Sequence, residues 1–105
     1  MAADKTTRFT LLVALNVHDA AGYQRYRDGM TPVLAEFGGR FDLDIVVGEL
    51  LCGPRGANRV FTISFPSETH KLDFFADERY LEIRSSHFDQ AVSSATMLAE
   101  YTGPA

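Results

Sequence analysis

Four stretches of the chain alternate between apolar side chains and polar or small ones, the period of β-strands whose two faces meet different surroundings. The first covers residues 9–17, the second follows a glycine pair, the third covers residues 59–65 and the fourth residues 93–101. In chain order, the residues predicted on the apolar face of each strand are Phe9, Leu11, Val13, Leu15, Val17; Phe41, Leu43, Ile45, Val47; Phe61, Ile63, Phe65; and Ala95, Met97, Ala99, Tyr101. In the second strand, Asp42, Asp44 and Val46 are predicted on the other face. The pattern therefore predicts four strands.

Two further segments repeat their apolar residues every three or four positions, the spacing of an amphipathic helix. Asp19 is placed to cap the first helix by accepting a hydrogen bond from a free backbone N–H. The apolar stripe of this helix ends at Phe37 and contains Pro32, where we expect a kink or a restart because proline lacks the N–H. Ser67 is placed to cap the second helical segment, and a break with a second cap is expected at Asp77.

The glycine pair in "EFGGRFDLD" follows the last apolar residue of the first helix and precedes the second strand. A phosphate-binding loop has its glycines after a strand and before a helix, so that the helix N–H groups face the anion. Here the order is reversed. Gly38 and Gly39 are therefore interpreted as the left-handed end of a helix, a conformation that glycine adopts at little cost.

The predicted order of elements is β-α-β-β-α-β. Because crossover connections are right-handed, strand one runs parallel to strand two, and strand three runs parallel to strand four. These constraints favour an α+β fold of the ferredoxin-like type, an antiparallel sheet in the order 4-1-3-2 with two helices on one face. With 105 residues, the chain is expected to form a single domain over residues 1–105.

The sheet face away from the helices is predicted to be partly apolar. Leu12, Ala14, Val46, Val60 and Leu98 lie on it among threonine, serine and asparagine. Such a face is too apolar to be left entirely in water and too polar for a deep core. Since two-fold dimers are the commonest oligomers, we expect a homodimer that packs sheet against sheet.

The charge of the chain argues against two classes of partner, and its cysteine content excludes two kinds of site. The net charge of −4, with no cluster of basic residues, argues against nucleic acid and against an anionic membrane surface. Cys52 is the one cysteine, so neither an internal disulfide nor a cysteine-based zinc site can form. No apolar run is long enough to span a bilayer. A cytoplasmic location is expected.

The predicted topology brings several polar residues to one end of the sheet. His18 follows the first strand, Tyr23 lies in the first turn of the first helix, Arg59 begins the third strand, and His87 precedes the fourth. These four are the candidate ligand-binding residues, and His87 and His18 are the candidate catalytic bases, because a neutral imidazole accepts protons near neutral pH. The alternative is that the histidines and Arg59 are surface residues at element ends and that Tyr23 belongs to the core.

Neither a metal site nor a cofactor site is predicted. His70 and Arg40 are placed at the opposite end of the sheet, away from the other histidines. Asp42 and Asp44 are expected on one strand face, where they could form a cation site or an acid–base pair. A charged edge strand that resists pairing is the favoured alternative. An incidental role is likewise favoured for Cys52 over a reactive thiol.

The segments "YQRYRDGMTPVLAEFGGRF", "RVFTISFPSE" and "FFADERY" resemble an uncharacterised bacterial family, the domain of unknown function numbered thirteen-thirty. The resemblance covers residues 9–101 and implies a dimeric α+β barrel. Asp44 and His87 stand where arginine is usual in that family, and Ser64 stands where an acidic residue is usual. The resemblance implies no particular activity, although related barrels include cofactor-free monooxygenases, haem-degrading enzymes and small-molecule isomerases.

Two functional hypotheses follow. The first is a small-molecule-binding protein with a pocket between helices and sheet, whose catalytic form would be a cofactor-free enzyme of the monooxygenase or isomerase type. The second is a non-catalytic dimeric module with a structural or interaction role. The sequence names neither a ligand nor a reaction.

Overall fold

The computed structural model describes residues 7–104, which form one four-stranded antiparallel sheet with helices on one face. The strand order is β2-β3-β1-β4, which is the predicted order 4-1-3-2 counted from the other edge. The elements are β1 (Thr7–Val17), α1 (Ala20–Glu36), β2 (Arg40–Val46), β3 (Arg59–Phe65), α2 (Glu68–Ala76), α3 (Glu78–Ile83), a π-helical turn (Arg84–Phe88), the short α4 (Asp89–Ala91) and β4 (Val92–Pro104). The ferredoxin-like fold is thus confirmed. The assignment of residues 1–105 to a single domain stays a prediction, since residues 1–6 and Ala105 lie outside the described part.

The core lies between the helices and the two central strands, β1 and β3. Leu11 pairs with Ile63 and Val13 pairs with Phe61 across these strands, and all four side chains point toward the helices. The helices cover them with aromatic side chains, of which Tyr23, Phe74 and Tyr80 are almost fully buried. The apolar face predicted for the first and third strands is therefore the face that the helices cover.

Helix α1 begins and ends as predicted. The Asp19 carboxylate accepts a hydrogen bond from the backbone N–H of Gly22 at 3.0 Å. At the other end, the N–H groups of Gly38 and Gly39 donate to the carbonyls of Ala35 and Leu34, and Gly38 has a φ of +72°. This pair of bonds is a Schellman motif, which satisfies carbonyls that the helix end would leave free.

Two details of the helices differ from the prediction. Helix α1 is continuous through Pro32, so the expected restart is wrong. Ser67 caps α2 and Asp77 caps α3, both as predicted, but α3 is followed by a π-helical turn that the sequence pattern did not indicate. This turn begins at Arg84 and leads through α4 into β4.

A bulge in β2 corrects the predicted face of Asp44. Phe41 pairs with Ile63, but the next pair along the strands joins Asp44 to Phe61, so one extra residue lies on β2 between them. An inserted residue moves every later side chain to the opposite face. Asp42 therefore lies on the face away from the helices and Asp44 on the helix face, and the prediction that they share a face is wrong.

A second bulge, in β4, also moves residues to the face opposite to the one predicted. Val13 pairs with Met97, whereas Leu12 pairs with Ala99, so Leu98 is the extra residue. Met97 remains on the helix face as predicted. Ala99 and Tyr101 are moved to the other face, against the prediction, and Tyr101 is 46% exposed there.

The chain itself covers part of the face away from the helices, which we call the outer face. The connection between β2 and β3 folds back over it and buries Ala14 and Val60 beneath Ala57. Asn58 fixes this connection, because its side chain exchanges hydrogen bonds of 2.9 Å with the backbone of Val17. Other parts of the outer face, among them Ile45 and Tyr101, stay exposed in the single chain. In the part of the chain that the structure describes, no helix is long and apolar enough to cross a membrane.

Candidate functional site

A cavity of about 100 Å³ lies between the helices and the sheet. Its floor is formed by core residues of β1 and β3, and its roof by aromatic residues and Met30 from the helices. Phe41 and Met97, from the two edge strands, close its sides. The lining residues are Leu11, Val13, Leu15, Tyr26, Met30, Phe41, Phe61, Ile63, Phe75, Tyr80, Arg84, Phe88, Ala95 and Met97. This cavity lies between helices and sheet, but it is not the pocket predicted from His18, Tyr23, Arg59 and His87, which are absent from its lining.

Two tyrosines supply buried polar groups to this lining. The hydroxyls of Tyr26 and Tyr80 lie 3.0 Å apart, and the residues are 6% and 3% exposed. Burial raises the pKa of Tyr80 and raises that of Tyr26 well above its ordinary value; the neighbouring Tyr80 raises the Tyr26 pKa further. Both phenols are therefore protonated at neutral pH, and one of them donates the hydrogen bond that joins them.

Among the described residues, Arg84 is the one charged side chain in the cavity lining. It stands at the start of the π-helical turn, and its guanidinium lies 5.5 Å from the centre of the Phe88 ring. Asp89 forms an ion pair with it at 3.7 Å, a separation longer than a hydrogen bond. The Arg84 side chain is 47% exposed.

The four predicted site residues do not line this cavity. Tyr23 and Arg59 lie together, with the Arg59 guanidinium 5.0 Å from the centre of the Tyr23 ring. His18 is exposed directly after β1, and His87 is half-buried in the π-helical turn. Among residues 7–104, no hydrogen bond or ion pair joins either imidazole to Tyr23 or Arg59. The assignment of a site to these four residues therefore stays a prediction.

Tyr23 and Arg59 belong instead to a cluster centred on Asp44. The Asp44 carboxylate accepts hydrogen bonds from Arg27 at 2.8 Å and from Arg59 at 3.0 Å. The Arg27 guanidinium lies 3.6 Å from the centre of the Phe41 ring, whose side chain also lines the cavity. Burial alone would raise the pKa of Asp44, but the hydrogen bonds from the two arginines hold it below the ordinary value.

Asp42 has a separate set of partners on the outer face. It accepts hydrogen bonds from Arg40 at 2.7 Å and from the fully buried Ser64 at 2.8 Å, and Ser64 in turn accepts one from Arg8. Both aspartates are thus held by basic or hydroxyl partners. Among residues 7–104, no group of three or more histidine, cysteine or acidic side chains is placed to hold a metal ion.

Sequence reasoning missed the polar groups of the cavity. Tyr26 and Met30 were recognised as residues of the buried helix stripe, but nothing in the period shows that Tyr26 meets Tyr80, 54 positions away. Arg84 was missed because its position depends on the π-helical turn. The available signal was chemical: a tyrosine within an otherwise apolar stripe needs a partner for its hydroxyl.

Comparisons with known proteins agree with this fold. The family model described as a domain of unknown function, DUF1330, matches residues 10–101. No sequence relative was found among functionally curated proteins.

Solved structures share the fold at low sequence identity. A protein of unknown function from Rhodopseudomonas palustris is 19% identical over 95% of this chain and 88% of its own, with a TM-score of 0.77. A putative antibiotic biosynthesis monooxygenase from Nitrosomonas europaea is 17% identical, with 93% and 90% coverage and a TM-score of 0.62. A dimeric protein of unknown function and ferredoxin-like fold from Bacteroides fragilis is 9% identical, with 90% and 94% coverage and a TM-score of 0.58.

Proposed function

The chain belongs to the DUF1330 family, a domain of unknown function, and we propose that it binds a small, mainly apolar molecule in the cavity between its helices and its sheet. The cavity itself carries this proposal. Its volume of about 100 Å³ lies between that of a single water and the roughly 150 Å³ of an engineered cavity that binds benzene. An apolar ligand of about benzene size, with part of its surface at the opening, is the kind of molecule that fits.

The tyrosine pair supports a ligand that carries a hydrogen-bond acceptor. Two hydroxyls hold two protons, and the bond between Tyr26 and Tyr80 uses only one of them. Arg84, which lies near the Tyr80 hydroxyl, is a donor only, and the hydrogen bonds among residues 7–104 give the second proton no acceptor. Because a buried donor without an acceptor costs about 1–3 kcal/mol, a ligand oxygen at this point would bind favourably.

A homodimer is part of the same proposal. The outer face exposes apolar side chains, among them Tyr101 and Ile45, and the β2–β3 connection covers only one part of it. The structurally similar protein from Bacteroides fragilis is described as dimeric. A second copy on the outer face would leave the cavity free, since the cavity lies on the other side of the sheet.

The same exposed face supports the second function, a dimeric structural or interaction module without a ligand. The two functions differ in whether the cavity binds a ligand. A catalytic role for His18 or His87 also stays a prediction, and it would require a ligand that reaches beyond the cavity lining.

The methionine methyl groups give a direct test, because Met30 and Met97 both line the cavity. Protein labelled with carbon-13 at its methionine methyls would be titrated with toluene, phenol, benzamide and benzoate. We expect at least one of these compounds to shift both methyl signals in a saturable way and to raise the melting temperature, because it binds the native state. If no compound does either, the ligand-binding function is wrong and the structural module is favoured.

A matched pair of variants distinguishes binding in the cavity from binding at the surface. Ala95→Leu places extra carbon atoms in the cavity from β4 and is expected to abolish the shifts. Ala99→Leu makes the same change on the outer face of the same strand and is expected to leave them intact. Equal effects of the two variants would contradict binding in the cavity.

A further inference from the structure

From the charge and hydrogen-bonding groups of the cavity, we propose that its ligand is a small carboxylate, held with its apolar body inside and its carboxylate between Arg84 and the Tyr26–Tyr80 pair. This inference rests on the proposed function, because it names the class of molecule that the same cavity takes. It goes beyond that function by giving the ligand a charge and a fixed orientation.

The cavity lining carries a positive charge. Of the described residues that line it, Arg84 is the charged one, and no aspartate or glutamate of residues 7–104 is among them. The two phenols stay neutral at physiological pH, since burial raises the pKa of each. A ligand in this cavity therefore meets neutral donors and one positive charge, which Asp89 only partly balances from 3.7 Å, an environment that favours an anion.

The Arg84 guanidinium keeps N–H donors for a ligand. It has five of them; its Nε faces Asp89 in an ion pair at 3.7 Å, beyond hydrogen-bond distance. The guanidinium also lies close enough to the Tyr80 hydroxyl to oppose the rise in the pKa of Tyr80 that burial causes. By contrast, the guanidiniums of Arg27 and Arg59 are both held by Asp44.

The charge of Arg84 is in contact with solvent. Arg84 is about half exposed, whereas Tyr26 and Tyr80 are buried. A carboxylate beside Arg84 would keep part of its hydration, so it would avoid most of the cost of burying a charge. One oxygen could accept from Arg84 and the other from the unused tyrosine proton.

The π-helical turn explains how Arg84 comes to this place. The turn starts at Arg84, directly after the regular turn of α3, and π-helical turns often occur at functional sites. It also carries Phe88, whose ring packs 4.8 Å from the Tyr26 ring, centre to centre, and lines the cavity. One short segment therefore supplies both the charge and part of the apolar wall.

The test compares benzoate with benzamide, a neutral molecule of nearly the same shape, at constant ionic strength. Binding is followed through the Met30 and Met97 methyl signals in the full-length protein. We expect wild type to bind benzoate at least about tenfold more tightly than benzamide, since hydrogen bonds between charged groups are roughly twice as strong as neutral ones. Equal affinities would overturn the proposed charge of the ligand.

Two arginine variants test whether the preference for benzoate depends on Arg84. Arg84→Gln is expected to weaken benzoate binding about tenfold and to change benzamide binding less than about twofold. Arg25→Gln removes the same charge from an exposed position of α1 outside the cavity lining, and we expect it to change neither affinity. An equal loss in both variants would show a general effect of net charge and overturn the proposal.

The outcomes distinguish the inference from the function on which it rests. Binding of toluene or benzamide without any preference for benzoate would contradict the carboxylate and leave the ligand-binding function standing. Failure of every compound would contradict both. If Arg84→Gln does not fold, the ratio of benzoate to benzamide affinity in the wild type still decides the question.

Discussion

At the scale of single residues, Asp44 shows how a carboxylate that the sequence offers for a cation site or an acid–base pair can instead stabilise the fold. It lies between two guanidiniums, from helix α1 and strand β3, with only a quarter of its side chain exposed. The paired carboxylate balances one of two positive charges that would otherwise face each other beside Tyr23 and Phe41. Asp44 therefore ties the helix layer to the edge of the sheet.

Replacing Asp44 by asparagine is expected to lower the free energy of unfolding by about 1–3 kcal/mol at neutral pH, because two partly buried arginines lose their partner. The pKa of Asp44 is lower in the folded chain than its ordinary value of 3.8. Its contribution is therefore complete above that value and is lost as the pH falls through the lower, folded pKa. Urea unfolding of wild type and Asp44→Asn across this range measures both effects.

The matched control is Asp73→Asn, since Asp73 is exposed on α2. We expect it to change stability by less than about 0.5 kcal/mol at every pH. A difference between wild type and Asp44→Asn that persists unchanged at low pH would contradict the role given to the carboxylate.

Asp44 also shows where sequence reasoning about the site stops. The alternation of β2 placed Asp42 and Asp44 on one face, and a single extra residue separates them. Tyr23 and Arg59 lie near each other because strand order and helix position bring them together. Their partners Arg27 and Asp44 were not predicted, since a bulge depends on cross-strand contacts rather than on local composition.

At the scale of elements, the sequence was most informative at helix ends. The caps at Asp19, Ser67 and Asp77 and the glycine pair are all present as predicted, because a cap is satisfied by atoms within a few positions of it. The π-helical turn was not predicted. Its geometry is coupled to packing against α1, which lies far away in the chain.

The end of α1 gives the prediction at this scale. A Cβ on Gly39 would lie 2.9 Å from the Phe65 ring and would also overlap Leu34, both of them core residues. We therefore expect Gly39→Ala to destabilise the protein by about 1–3 kcal/mol, the range typical of overpacking. Thermal or urea unfolding measures the change.

Gly48→Ala is the control, since a Cβ on Gly48 would meet no atom within 4 Å among the described residues other than its two chain neighbours. It is expected to leave stability within about 0.5 kcal/mol of wild type. If Gly39→Ala were equally neutral, the close approach of the helix end to the core would have no energetic importance.

At the scale of the whole molecule, the two faces of the sheet differ in what packs against them. The helix face holds the core and the cavity. The outer face is partly covered by the β2–β3 connection, which the sequence pattern indicated only as a loop, and partly exposed. The amount of apolar surface left for a second copy is thus smaller than the sequence suggested, but it includes Tyr101 and Ile45.

We expect the wild type to have twice the 11.6 kDa mass of one chain in light scattering at micromolar concentration. Tyr101→Glu places a charge on the outer face and is expected to shift the protein toward the single-chain mass, because a buried unpaired charge is costly. Leu72→Glu, at an exposed apolar position of helix α2, is expected to leave the mass unchanged. A single-chain mass for the wild type would contradict the homodimer.

The claim on which the functional account depends is that a small molecule enters the space between helices and sheet. The most direct measurement is the nuclear Overhauser effect between the ring protons of each bound compound, toluene, phenol, benzamide or benzoate, and the methyl group of Met30, which is 1% exposed. We predict a clear transfer to Met30 in wild type and its loss in Ala95→Leu. Transfer to the exposed Met97 alone, or to neither methionine, would contradict the account.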